Sequence, residues 1–126
     1  MPWPPTVNHY WGNRVIVRAG RKPFVSTFIK AEGVAYRKAV AAAIRERFGE
    51  RLRPTAARVS VSVEAVAPDR RERDLSNLLK AFEDALTHCG VWLDDFQVDW
   101  VSVERGAVVA PGWLDVELRR IVPREV

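Results

Sequence analysis

Val59, Val61, Val63, Ala65 and Ala67 occupy every second position of residues 59–67, the period of a strand with one face in a core and the other in water. Pro68 ends the run. Beyond it the period changes: Leu75, Leu78, Leu79, Phe82, Leu86 and Cys89 fall at i, i+3, i+4, i+7, i+11 and i+14. That is one face of an amphipathic helix, from about residue 74 to 88 and stopped by Gly90. A half-buried strand followed by a one-sided helix hides both apolar surfaces by packing them together, so the chain must build a layer of helix on sheet.

The rest of the sequence extends this plan. Residues 15–18 and 24–27 flank Ala19-Gly20-Arg21-Lys22-Pro23 and predict a hairpin. Over residues 31–48, Tyr36, Val40, Ile44 and Phe48 recur at fourfold spacing with Arg37, Lys38, Arg45 and Arg47 between them, a second amphipathic helix stopped by Gly49. Val98, Trp100, Val101 and Val103 give a further strand. Residues 113–121 give another with Leu114, Val116, Leu118 and Val122 inward, joined to it through Gly106 and Pro111-Gly112. Residues 2–13 are expected to be extended, because their prolines oppose helix. No repeat, low-complexity segment or linker interrupts residues 1–126, which read as a single domain of α/β layered type.

Composition narrows the class. A 126-residue chain that is 48% hydrophobic, with five Trp and five Phe, has enough apolar bulk for one core. The five tryptophans read as core or interface aromatics. No apolar run approaches the roughly 20 residues that cross a bilayer, and the opening residues lack the pattern of a signal peptide. Cys89 has no second cysteine to pair with, and His9 and His88 leave too few ligands for a Cys/His zinc site. A reducing cytoplasm fits. The charge is segregated: twelve Lys or Arg against three acids in residues 1–60, eight against thirteen thereafter, and sixteen of the twenty cations are Arg. The arginine fork grips phosphate in two places at once, which favours a polyanionic partner such as nucleic acid. A well-solvated arginine-rich surface is the competing reading, and Arg45, Arg47, Arg51 and Arg53, interrupted by Glu46 and Glu50, read as such a face.

Two acidic segments flank the leucine-striped helix. Ahead of it, Pro68-Asp69-Arg70-Arg71-Glu72-Arg73-Asp74 delivers a carboxylate and three arginines to a helix start, where unpaired N–H groups and the dipole favour a phosphate. Asp is also a good N-cap, so Asp74 and Ser76 have a purely structural reading. Lys80 lies one turn past Ser76 on the polar face, placed either for a phosphate or for an i+4 pair with Asp84. After the helix, Asp94-Asp95 sit between apolar residues at the mouth of a strand. They form either a simple aspartate turn or, converging with Asp74, a site for a hard divalent cation such as Mg²⁺, which accepts one or two carboxylates plus a substrate phosphate oxygen.

Four blocks carry a family resemblance: "PWPP" at residues 2–5 with Asn8 following, "AEGVAYR" at 31–37, "PDRRERDLSNLLKAFEDAL" at 68–86 and "GVWLDDFQV" at 90–98. In this order and spacing, over most of the chain, they resemble the RusA family of Holliday junction resolvases of bacteria, phages and prophages. The resemblance implies an α/β fold with a single-layer mixed β-sheet and two main helices packed on it. It also implies a homodimer that binds four-way DNA junctions in recombination and repair, nicking two opposed strands with Mg²⁺, or Mn²⁺ in its place. Two sites related by a twofold axis suit a roughly twofold substrate. The family pattern maps onto Asp74, Lys80 and Asp95 as catalytic residues, with Asp74, Asp95, Ser76 and Asp94 around the metal and Arg70, Arg71, Arg73 and Lys80 on the DNA.

This chain departs from the pattern at Ser76, where the family has a second aspartate. The lost charge weakens a cation site unless Asp94, Glu64 or Asp69 replaces it. A junction-binding protein with weak or lost cleavage is therefore the rival expectation. A second departure is that relatives commonly place a strand ahead of the Pro-Trp-Pro-Pro block, which here begins at residue 2.

Overall fold

The structure, a computed structural model, describes residues 1–50 and 52–122. The alternating run forms the central strand β3 (Val59–Ala67) and the leucine stripe forms helix α3 (Leu75–His88). Around them lie helix α1 (Val7–Tyr10), strands β1 (Trp11–Ile16) and β2 (Phe24–Ile29), helix α2 (Ala31–Phe48), a 3₁₀ turn (Asp95–Gln97), and strands β4 (Val98–Val108) and β5 (Trp113–Arg120). β3 pairs with β4 in parallel, with α3 as the crossover, and with β5 antiparallel, giving a mixed three-stranded sheet of order β4-β3-β5. β1 and β2 form a separate antiparallel ribbon.

Period-two alternation sorts the sheet faces. Val59, Val61, Val63 and Ala65 are buried, with Leu118, Val116 and Leu114 of β5 opposite Val61, Val63 and Ala65. Helices α2 and α3 cover this face with Tyr36, Val40, Ile44, Leu78, Ala81, Phe82, Ala85 and Leu86. The other face carries Ser60, Ser62 and Glu64, with Glu64 opposite both Glu104 and Asp115. Gly49 and Gly90 end the two helices at φ 77° and 78°, a left-handed backbone that glycine adopts without strain.

The departures from expectation lie at the ends of elements. Helix α1 begins as soon as the prolines stop, so residues 2–13 are not uniformly extended. Phe48, in the last turn of α2, is 54% exposed, and Val122 lies beyond the end of β5 in solvent. Gly106 falls inside β4 instead of in the turn. A Cβ there would lie 2.4 Å from the Glu64 carboxylate, so the glycine makes room for that side chain as it crosses the sheet. Of the five tryptophans only Trp92 is fully buried, and Trp100 is 62% exposed because its position on β4 points away from the helices. Arg45, Arg47 and Arg53 are exposed, as a solvated face requires, while Arg51 lies outside the described residues.

Candidate functional site

The loop between β3 and α3 is organised by Asp69. Its carboxylate accepts the Arg71 backbone N–H at 3.0 Å and the Arg73 guanidinium at 2.6 Å, and these donors, Arg71 N–H foremost, hold its pKa below the usual carboxylate range. The other end of the Arg73 fork donates to the carbonyls of Asp69 and Arg71, and the guanidinium lies 5.5 Å from the centroid of the Trp3 ring. The three arginines thus differ in role. Arg73 is a strut with a side chain 19% exposed, whereas Arg71 is 84% exposed and Arg70 is exposed beside it. From β4, Arg105 donates to the Arg73 carbonyl. The result is a groove of about 750 Å³ whose lining includes Trp3, Asn8, Arg70, Arg71, Asp74 and Arg105.

Asp74 occupies the N-cap position of α3 but makes no side-chain capping bond. Among the described residues its carboxylate meets only the Asn77 amide, at 3.5 Å. Ser76 and Lys80 are exposed on the polar face of α3. Asp84 does not pair with Lys80. It is held by Arg37 at 2.7 Å and by the Tyr10 hydroxyl, a network that ties α1, α2 and α3 together. Lys80 therefore has no ion-pair partner among the described residues.

The acidic turn is anchored on both sides. Trp92 is buried and its indole N–H donates to Thr87 Oγ1 at 2.6 Å, fixing the turn to the end of α3. Gln97, 2% exposed, accepts the backbone N–H groups of Leu93 and Asp94 and donates to the carbonyls of Thr55 and Ala57. Held between these anchors, the Asp94 and Asp95 carboxyls act on each other, and this interaction first of all lowers the pKa of Asp94 and raises that of Asp95. Glu83 is shifted upward, by burial first and by the Asp95 charge second. Leu93 and Phe96, on either side of the two aspartates in sequence, are 63% and 66% exposed.

The nine and ten residues that separate Asp74 from Glu83 and Asp84 span about 14 Å of helix. The groups that act on Asp95 are Asp94 and Asp84, at the far end of that span. Accordingly, the described residues of one chain contain no cluster of three His, Cys, Asp or Glu side chains able to hold a metal ion. Of the acids considered as substitutes for the charge missing at Ser76, Asp69 is engaged by arginines and Glu64 lies on the sheet face away from the helices. Asp94 alone sits beside another candidate ligand. Sequence reasoning missed Arg105, an isolated arginine in a strand, and Glu83, which looks like an ordinary polar-face residue until the turn folds back against the helix.

The family model for endodeoxyribonuclease RusA matches residues 2–118. The chain is 42% identical over 119 residues to the crossover junction endodeoxyribonuclease of Enterobacteria phage 82, covering 94% of this chain and 89% of that protein. It is 40% identical over 118 residues, with the same coverage, to the crossover junction endodeoxyribonuclease of Escherichia coli K12. With that of Enterobacteria phage HK97 it shares 36% identity over 121 residues, covering 96% of this chain and 92% of its relative. A match spanning both the arginine-lined groove and the acidic turn leads to one conclusion: this chain belongs to the RusA family of endodeoxyribonucleases.

Proposed function

We propose that the protein is a metal-dependent endonuclease that nicks opposed strands of four-way DNA junctions as a homodimer. The observation that carries this reading is the pairing of two half-sites in one family member: an arginine-lined groove ending at the exposed carboxylate of Asp74, and an anchored Asp94-Asp95 turn. Asp74 and Asp95, supported by Asp94 and the Ser76 hydroxyl, would hold Mg²⁺ or Mn²⁺. All four are hard oxygen donors, and Asp94 and Asp95 are adjacent carboxylates whose opposed pKa shifts show that each feels the other's charge. Such an ion, when bound, supplies Lewis-acid polarisation of the scissile phosphate and lowers the pKa of water.

The side chains divide the remaining work. Arg70, Arg71 and Arg105 face the groove and grip the backbone, independent of sequence. Arg73 keeps their loop rigid. Lys80, without a carboxylate partner among the described residues, stabilises the negative charge that develops on the phosphate. Because Asp74 and Asp95 belong to opposite ends of α3, the full ligand set is assembled across two subunits. The exposed Leu93 and Phe96 beside the two aspartates provide an apolar rim for that contact.

The test is cleavage of a synthetic four-way junction with Mg²⁺ or Mn²⁺. Paired nicks that vanish in Asp95→Asn and Asp74→Asn support the reading, while wild-type protein that leaves the junction intact refutes it. Ser76 favours a second reading, junction binding with weak or lost cleavage, since it removes one formal charge from the ligand set. Tight binding without nicks at any metal concentration is its signature.

A further inference from the structure

The β1–β2 ribbon is unused by the site described above, yet its composition is extreme. Residues 11–30 contain Arg14, Arg18, Arg21, Lys22 and Lys30 and no Asp or Glu. All five cations are exposed, and none joins an ion pair among the described residues, whereas Arg37, Arg58, Arg71, Arg73 and Arg119 each meet a carboxylate. Only the base of the ribbon packs on the core, through Trp11 and Ile29. There the strands close over Gly12, where a Cβ would lie 2.5 Å from the Phe28 ring. Beyond the Thr27–Asn13 side-chain hydrogen bond, the cross-strand pair Val15 and Val25 is 64% and 65% exposed, and Val17 is 74% exposed.

A two-stranded hairpin is marginally stable by itself in water. One that also carries uncompensated positive charge and bare valines is suited to lying against a partner, and the charge selects a polyanion. Continuity adds a direction. Thr6 and Asn8, in and just before α1, line the groove at Asp74, and α1 runs directly into β1 at Trp11, so the ribbon springs from the groove's own rim.

We propose that the β1–β2 ribbon is a second DNA-contacting element, an arm that follows a duplex leg of the junction outward from the groove. Its cations meet phosphates, and its Val15–Val25 face meets the groove wall of the duplex. A two-stranded ribbon is narrow enough to enter a major groove, where apolar side chains meet thymine methyls. The inference rests on the junction reading for the identity of the substrate, but it concerns residues that do not line the groove at Asp74. The competing occupant is the acidic outer sheet face of a second copy, where Glu64, Glu104 and Asp115 share one register.

The experiment compares wild type with Arg18→Ala/Arg21→Ala/Lys22→Ala, all at the exposed tip. Binding to a four-way junction and to a linear duplex is measured over a salt series, with oligomeric state followed by light scattering. If the ribbon is a DNA arm, the plot of log affinity against log salt becomes shallower by about 2 to 3 for both DNAs. Affinity at low salt drops at least about tenfold, and subunit number is unchanged. Arg18→Lys/Arg21→Lys keeps the wild-type slope, because counterion release counts charges. An unchanged slope in the triple alanine variant overturns the proposal, and an unchanged slope with altered subunit number assigns the ribbon to subunit contact instead. Wild type that binds linear duplex as well as it binds the junction would sink the junction reading, while the slope on duplex still tests the arm.

Discussion

The backbone N–H of Asp94 donates to Oε1 of Gln97 at 2.9 Å. Gln97 also takes the Leu93 N–H and gives its own two N–H groups to the carbonyls of Thr55 and Ala57, so one buried amide sets the height of the acidic turn against the segment entering β3. Gln97→Leu strands two amide donors and two carbonyls. With about 1–3 kcal/mol for each buried group left unpaired, a loss of several kcal/mol of stability is expected by urea denaturation. On the proposed function, which puts metal ligands in the turn and the DNA grip in the arginine loop, nicking should fall further than junction affinity. Equal loss of both would place Gln97 outside the active centre's support.

Arg71 and Arg73, two positions apart, should fail differently. Arg71→Ala removes an exposed cation and is expected to reduce the salt slope of junction binding by about one phosphate contact with little change in melting temperature. Arg73→Ala breaks the pairing with Asp69 and bares the Trp3 ring. It should lower the melting temperature and loosen Arg70 and Arg71 together. The contrast is read from binding isotherms at several salt concentrations beside thermal melts of each variant.

Asp69 should stabilise the fold in a pH-dependent way. Its folded pKa is depressed, chiefly by the Arg71 N–H and then by Arg73. Its contribution is therefore complete above the ordinary aspartate value of about 3.9 and is lost as pH falls through the lower folded value. The difference in melting temperature between wild type and Asp69→Asn should be full at pH 7 and should shrink below about pH 4. A difference that grew on acidification would contradict the assigned pairing.

What the sequence reveals follows physical period. The alternating valines of β3 and the leucine stripe of α3 announce themselves because each side chain's burial depends only on its own element's geometry. Val122, Phe48 and Gly106 depart from their expected places because those places depend on where a neighbouring element stops or crosses. The site divides in the same way. Asp74, Lys80 and Asp95 are candidates because the family resemblance implies them, but the division of labour among Arg70, Arg71 and Arg73 depends on Asp69 and Trp3, and Arg105 reaches the groove only through strand pairing. Nor does spacing show that Asp95 faces Glu83 and Asp84 instead of Asp74, since that requires knowing how the chain turns at Trp92.

Ser76 lies two residues past Asp74, where a carboxylate would add one charge to the proposed ligand set. Ser76→Asp is expected to raise nicking at limiting Mg²⁺ and to shift the metal titration to lower concentration, with junction affinity in the absence of metal unchanged or slightly weaker. An unaltered metal titration would show that Asp94 already provides the missing charge.

The separation of Asp74 from Asp95 along α3 leads to a prediction about mixed dimers. Asp74→Asn and Asp95→Asn should each be inactive alone as homodimers. When the two are mixed and allowed to exchange subunits, a heterodimer forms in which one Asp74 and one Asp95 remain, on different chains. If each site draws Asp74 from one subunit and Asp95 from the other, that heterodimer has one complete site and one empty of both carboxylates, and single-strand nicking returns. If each site is built within one chain, every site in the mixture lacks a carboxylate and none is restored. Nicked-product yield against mixing ratio, with a plasmid-borne junction as substrate, separates the two. A return of activity peaking near equal proportions is the expected result, and its absence under conditions of proven subunit exchange would confine the metal ligands to a single chain.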